Sequence, residues 1–308
     1  MIDYRHETFY ELCRIRSYTK TAEYLHITQP AVSQHIRHLE SWYGGSLFEY
    51  RDKRLNLTPR GEQLYRYVQA LRADSRKVRQ ELLDYNTETL PVVFGATLTI
   101  GEYVMPAILE QILKEKPDCN LSMKVENTQS LLRELQDGSI DFALLEGYFD
   151  KARYASCCLS YEELIPVCSA DSALAGRCVS LEEITGRRLI LREAGSGTRE
   201  VFEQALKAHN YSIGNFANRS VIGNMNAIKQ LVSQDVGYSF LYLQAVKTEL
   251  SNGTLAEFQI EGFGAGHEFN FVFLKDRVYE EIYHKWFTRI SSAFAGSDNR
   301  QPDGRSEQ

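Results

Sequence analysis

The 308 residues predict an α+β multidomain chain: a winged helix-turn-helix over residues 1–58, a long linker helix over 59–89, and a two-subdomain α/β domain over 90–295. Three observations predict it. Two short helical patterns joined by a tight turn occupy Ser17 to Glu40, reading SYTKTAEYLHITQPAVSQHIRHLE. A seven-residue apolar repeat runs from Leu64 to Tyr85. From Pro91 onward, short apolar runs alternate with amphipathic stretches, the pattern of βαβ units.

The first helix of the pair opens at Thr19, whose hydroxyl suits an N-cap, and turns Ala22 and Leu25 inward. His26 and Ile27 make the turn. Thr28 caps the second helix, and Pro30 falls in its first turn, where a missing N–H costs no helical hydrogen bond. Val32, Ile36, Leu39 and Tyr43 then recur on one apolar stripe, which leaves Gln29, Ser33, Gln34, Arg37 and His38 facing outward. Gln pairs bidentately with adenine, Arg with guanine and Ser with either. The helix N-terminus offers a phosphate its N–H groups and dipole, and a helix of this kind fits the major groove. The same residues also describe an ordinary amphipathic hairpin, so the segment that follows decides between the two.

After Gly44-Gly45, Leu47-Phe48 leads into Arg51-Asp52-Lys53-Arg54, and Leu55-Asn56-Leu57-Thr58 alternates as a strand does. This is a β-wing whose basic tip, Arg51, Lys53 and Arg54, reaches phosphates. From Phe9 to Gly61 the chain resembles the winged helix-turn-helix of the LysR-type transcriptional regulators. The resemblance rests on the spacing from Ala22 to Glu40, the Gly44-x-x-Leu47-Phe48 turn and Leu57-Thr58-Pro59-x-Gly61. Two positions depart from the family pattern: Thr21 replaces the usual first Ala, and Tyr50 stands where members carry Arg, with Arg51 beside it. The second departure shifts or weakens the wing's phosphate contact. The resemblance implies a sequence-specific regulator that reads a near-palindromic double-stranded site with Thr28, Gln29, Pro30, Ser33, Gln34, Arg37 and His38.

Thr58 caps and Pro59 opens the linker helix, in which Leu64, Val68, Leu71, Ser75, Val78, Leu82 and Tyr85 keep a strict four-three spacing. Its remainder is charged, so the apolar stripe is narrow and suits a second copy of the chain better than a single packed helix. Two recognition helices held by such a seam engage successive major grooves about one helical turn apart. The resemblance implies the same dimerising helix and, by family analogy, a tetramer.

A net charge of −6 is unexpected for a DNA binder until it is divided. Residues 1–90 carry 14 Lys and Arg against 12 Asp and Glu, and residues 91–308 carry 21 against 29. An acidic body behind a mildly basic head discourages nonspecific binding, so affinity must come from local placement of Arg37, Arg51, Lys53 and Arg54 and from dimerisation. No segment approaches a membrane span and the N-terminus has no signal core, which places the chain in the cytoplasm. The six cysteines include no CxxC pair and no His at metal spacing, which favours small buried hydrophobes over disulfides or metal ligands.

In the C-terminal half, strands are expected at Val92–Gly95, Leu121–Glu126, Asp141–Leu145, Leu164–Ser169, Arg188–Arg192, Gly237–Leu241 and Phe269–Leu274. Helices are expected at Gly101–Lys114, Ser130–Gln136, Thr198–His209, Ala227–Gln234 and Tyr279–Phe294. Subdomain I (about 90–161 and 266–295) and subdomain II (about 162–265) are then joined by crossings near Tyr161 and Gly266, with a cleft between them. This half resembles the effector-binding domain of the same family, itself similar to periplasmic solute-binding proteins. The polar tail 296–308 is expected to be disordered.

Ligands of α/β sheets sit beyond the carboxyl ends of strands. Glu193 to Arg199 (EAGSGTR) forms one such loop: Gly195 and Gly197 let backbone approach a ligand, Ser196 and Thr198 offer hydroxyls, and the helix start offers N–H groups to a small anion. Arg199 either adds a charge-assisted bond to that anion or pairs with Glu203. Thr97, Leu98 and Thr99, then Thr128, Glu146 and Asn224, occupy other strand-end loops, and the resemblance places effector contacts in these loops. At Asn226 relatives often carry an acidic residue, so a contact there differs in this chain. No H-E-x-x-H helix, G-x-S-x-G elbow or Walker loop is present, and no base or nucleophile accompanies the glycine loop, which argues against an enzyme acting on a phosphorylated molecule and against any cofactor. A ligand-independent repressor or architectural DNA binder is the other alternative to an effector-modulated regulator.

Overall fold

The computed structural model describes residues 3–83 and 92–298. The chain divides into two units, one holding residues up to Leu90 with Gln136–Ser139 and Leu274–Glu281, the other the remainder.

The first unit begins with a helix that the sequence reading passed over, α1 (Tyr4–Ile15), capped by the Asp3 carboxylate, which accepts from the Arg5 N–H. Its signal was present, since Phe9, Leu12 and Cys13 recur at helical spacing and all three are buried. Next come α2 (Tyr18–Tyr24) and α3 (Gln29–Trp42). Ser17 rather than Thr19 caps α2, its hydroxyl accepting from the Lys20 N–H, because extended backbone at Ser17 aims the hydroxyl at the first free amides. Thr28 caps α3 as expected, accepting from the Ala31 N–H. Val32, Ile36 and Leu39 are buried against Phe9, Leu12 and Phe48. Tyr43 does not complete that stripe: it ends α3 as its C-cap, exposed to solvent, with its hydroxyl on the His6 ring.

The wing is an antiparallel hairpin of β1 (Phe48–Arg51) and β2 (Arg54–Leu57), with Arg51 opposite Arg54. Asp52 and Lys53 both have positive φ, at 50° and 60°, as a two-residue turn matched to strand twist requires. The linker helix α4 spans Pro59–Leu83, opened by Thr58, whose hydroxyl accepts from the Gly61 N–H at 3.0 Å. Residues 84–91, including Tyr85 and the end of the expected helix, lie outside the described residues.

The seam on α4 divides. Leu64 and Val68 are buried in the core of their own unit, whereas Leu71, Val78 and Leu82 are 54%, 43% and 67% exposed. The cause is α1, which lies along the first half of α4 with Tyr10 stacked on Tyr65 and Arg72 paired with Glu7. Farther along, the buried Asp74 carboxylate accepts from Arg277 Nε at 2.7 Å and from the Val278 N–H.

From Val92 the elements are β3 (Val92–Ala96), α5 (Met105–Glu115), β4 (Leu121–Val125), α6 (Thr128–Asp137), β5 (Phe142–Leu145), β6 (Tyr154–Ser169), β7 (Cys178–Val179), α7 (Leu181–Thr185), β8 (Arg188–Leu191) and α8 (Gly197–Ala208). They continue as β9 (Asn218–Val221), α9 (Met225–Ser233), β10 (Ser239–Tyr242), α10 (Leu243–Ser251), β11 (Leu255–Glu257), β12 (Gln259–Ile260), β13 (Gly266–Leu274) and α11 (Glu280–Asp298). Among the described residues, one seven-stranded sheet runs β10-β6-β13-β5-β3-β4, with β11 on β6. β3 lies parallel to both β4 and β5, the expected βαβ arrangement, and Phe94, Phe142 and Phe271 stack along this half of the core. Ile165, Ile190, Met225, Ile228 and Leu241 form the core of the other half.

Three further expectations are corrected. The strand expected at Leu164–Ser169 is the end of a sixteen-residue β6, whose first part alternates at the surface and lacks the continuous apolar run that marked the rest. The helix expected at Gly101 begins instead with a π-turn over Ile100–Val104, which closes on Met105 N–H to Ile100 O just before Pro106, a residue with no N–H to give. Residues 296–298 of the expected disordered tail continue α11, and 299–308 lie outside the described residues. The short α7 and the helix α10 were not anticipated. The two strand crossings meet: the Leu164 N–H donates to Ala265 O, and a Cβ on Gly266 would lie 2.9 Å from Glu162 O.

Candidate functional site

The outward face of α3 is built by its buried stripe and its cap. Thr28, Gln29, Pro30, Gln34, Arg37 and His38 are exposed and Ser33 is half-buried. Gln29 donates to Ser33 Oγ at 2.9 Å, Arg37 Nε donates to Ser33 O at 3.3 Å, and Arg5 Nη1 lies 3.0 Å from His38 Nε2. Internal bonds thus hold the polar side chains along one face. Arg51, Lys53 and Arg54 are all exposed on the wing, and Tyr50 is 73% exposed. A groove lined by Arg16, Ser17, Thr19, Gln29, Lys53 and Arg54 joins the start of α3 to the wing. Arg16, which donates to Leu55 O, was missed because as the left-handed cap of α1 it stands outside both expected helices.

In the second unit, strand ends converge on one carboxylate. Glu146, at the end of β5, is buried, and its Oε2 accepts from Thr97 Oγ1. Its Oε1 accepts from Thr198 Oγ1 at 3.1 Å and Thr99 Oγ1 at 3.4 Å, and its carbonyl accepts from Thr128 Oγ1 at 2.9 Å. Thr97, Thr99 and Thr128 belong to the segments expected as subdomain I and Thr198 to that expected as subdomain II, so Glu146 joins the two. Backbone contact reinforces this link. A Cβ on Gly197 would overlap the Glu146 carbonyl oxygen and lie 2.8 Å from Thr128 Oγ1, and a Cβ on Gly147 (φ 95°) would lie 2.7 Å from Gly197 Cα.

Beside this cluster, Arg192 binds Glu193 bidentately at 2.9 and 3.0 Å, and its Nη1 is buried without a hydrogen-bond partner. Ser196 Oγ and the Tyr242 hydroxyl are also buried without one. Arg192 and Tyr242 were not proposed as site residues from sequence, because each reads as the end of an apolar strand. Arg199 pairs with Glu203 at 2.8 Å, the second of its two readings, and Asn224 caps α9 through the Ala227 N–H. Leu98 is half-buried, and Gly195 (φ 88°) packs against Gln129. Asn226 accepts from the hydroxyl of Tyr103, a π-turn residue whose ring lies 4.5 Å from Lys229 Nζ.

Burial pushes the Glu146 carboxyl above the ordinary carboxylate value of 4.5, against the hydroxyl of Thr97, the charge of Arg192, and Thr198 and Thr99. A carboxyl raised in the folded state contributes its full stability below its unfolded pKa and loses it as pH rises through the folded one. Melting temperature is therefore expected to fall as pH rises above about 4.5, with Glu146→Gln flattening the fall. Thermal melts across pH check this, and an unchanged slope in the variant would assign it to other groups. Among the described residues no group of three His, Cys, Asp or Glu could hold a metal ion, and no helix is long and apolar enough to cross a membrane.

Comparison with known proteins gives matches over both units. Residues 5–62 match the bacterial regulatory helix-turn-helix protein, lysR family, and residues 87–293 match the LysR substrate binding domain. The HTH-type transcriptional regulator YeiE of Escherichia coli K12 is 30% identical over 82% of this chain and 84% of its own. The RuBisCO operon transcriptional regulator of Allochromatium vinosum is 29% identical over 83% and 84%. The solved structure of the Corynebacterium glutamicum OxyR C206 mutant superposes with a TM-score of 0.59 at 21% identity, covering 96% of this chain and 92% of that one, a likeness of fold.

Proposed function

This chain belongs to the LysR family of transcriptional regulators, and from that premise we propose that it reads a near-palindromic DNA site as a homodimer through Gln29, Ser33, Gln34 and Arg37, under control of a small anionic effector bound around Glu146. The observation that carries the reading is the pairing of an exposed, internally braced polar face on α3 with a buried, hydroxyl-lined cluster at the strand ends. Thr28 and the α3 N-terminus hold one phosphate, and Arg16, Arg51, Lys53 and Arg54 hold others. The effector acts by binding one arrangement of the cleft better than another, so DNA and effector affect each other's affinity reciprocally.

Lys53→Ala and Arg54→Ala are each expected to weaken binding to all duplexes alike and to lower the slope of log affinity against log salt by about 1. Titrations at several salt concentrations on a specific and an unrelated duplex check this. A sequence-dependent loss would move these residues from phosphate to base contacts.

Dimerisation rests on Leu71, Val78 and Leu82, the exposed half of the α4 seam. The double variant Leu71→Glu, Val78→Glu is expected to sediment as a monomer and to lose affinity for the full site far more than for a half-site. A variant that stays dimeric would place the interface elsewhere.

A further inference from the structure

The proposed effector site is centred on a buried acceptor, the Glu146 carboxyl, which restricts the anion it can take. Glu146 is buried and its two carboxyl oxygens accept from the hydroxyls of Thr97, Thr99 and Thr198, so an anion without a proton beside it would bring acceptor against acceptor in a water-poor place. Its neighbours are donors without acceptors. Arg192 Nη1, Ser196 Oγ and the Tyr242 hydroxyl are buried and unpartnered, on residues 3%, 2% and 0% exposed. The Arg192 charge acts on the Glu146 carboxylate, that carboxylate acts on the Tyr242 phenol, and Ser196 precedes Gly197, which packs on the Glu146 carbonyl. Arg192 is largely neutralised by its bidentate bond to Glu193, so the cluster is not an excess of positive charge seeking any anion. It is a set of unfilled donors beside one buried acceptor.

We propose that Glu146 makes the cleft selective for small oxyanions that carry a proton: the ligand's O–H donates to the Glu146 carboxylate while its other oxygens accept from Arg192, Ser196 and Tyr242. This inference rests on the reading of the cleft as the effector site and names the ligand class it admits. Anions of equal shape are separated by a single proton. Hydrogenphosphate is accepted and sulfate refused, or, for a planar ligand, hydrogencarbonate is accepted and nitrate refused. Where a site built to hydrogen-bond a ligand hydroxyl meets the analogue that lacks it, discrimination is on the order of 10⁴-fold.

The test is thermal unfolding of the full chain with each of these four anions as the potassium salt, at matched ionic strength and neutral pH, in wild type, Glu146→Gln and Thr198→Val. The proton-bearing member of at least one pair is expected to raise the wild-type midpoint, its ionised partner to leave it unchanged, and Thr198→Val to blunt the response. Glu146→Gln, whose amide can donate, is expected to gain a response to the ionised partner, and its ligand-free midpoint shows whether it folds. Should Glu146→Gln be too unstable to measure, the wild-type contrast within each pair decides. Equal stabilisation by both members of a pair, no response to any of the four, or unchanged selectivity in Glu146→Gln overturns the proposal. Equal stabilisation that Thr198→Val abolishes removes proton selection and leaves the cleft as the site, whereas a response that Thr198→Val does not touch places the ligand outside the cleft and removes both.

Discussion

Gly197→Ala is expected to lower the stability of the effector-binding unit by about 3 kcal/mol, at the upper end of overpacking costs, and to remove its response to any cleft ligand. The cause is backbone against backbone. The added methyl would overlap the Glu146 carbonyl oxygen and crowd the Thr128 hydroxyl that donates to it, so the clash is with backbone and α8 must withdraw from the end of β5. Withdrawal separates Thr198 from Glu146 and Gly147 from Gly197. Gly147→Ala meets the same contact from the opposite side and adds the strain of a side chain at φ 95°. Because both variants break one contact, the double variant is expected to cost less than the sum of the two. Thermal melts of the two single variants and the double measure this. Two single variants as stable as wild type would mean that the cleft closes without this contact.

The two glycines also mark how far the sequence could be read. Gly195 and Gly197 were singled out as places where backbone approaches a ligand, and at Gly197 the partner in close approach is the protein's own strand end. Thr97, Thr99, Thr128, Glu146 and Thr198 were each placed at strand ends from the alternation of strands and helices; Thr97, Thr99 and Thr198 meet on the Glu146 carboxyl and Thr128 on its carbonyl. That Glu146 would be the centre was not legible, since a lone Glu after an apolar strand carries no periodic or spacing signal. Arg192 and Tyr242 were hidden for the same reason, each being one polar residue at the end of a buried run. The recognition helix was the most legible element because cap, proline and apolar stripe agree with one another. The linker seam was legible as a repeat, but its division between own core and exposed stripe depends on α1, whose packing along α4 no local pattern announces.

Arg37→Ala is expected to cost about 1–3 kcal/mol on a specific site while leaving binding to unrelated duplexes nearly unchanged. Arg37 is exposed in the third turn of α3, and its Nε is held by the Ser33 carbonyl, which leaves the rest of the guanidinium fork to face a base edge. Loss of that fork removes discrimination at one base pair in each half-site. Affinities on the specific and the unrelated duplex, measured at one fixed salt concentration, separate this outcome from a uniform loss, which would make Arg37 a phosphate contact.

The most direct measurement of the central claim is selection of bound sequences from a pool of random duplex DNA by the wild-type chain at physiological salt. Two inverted half-sites with centres about one helical turn apart are the predicted result. A pool that stays featureless, or one that converges on a single unrepeated half-site, would contradict the reading of this chain as a dimeric, sequence-specific regulator.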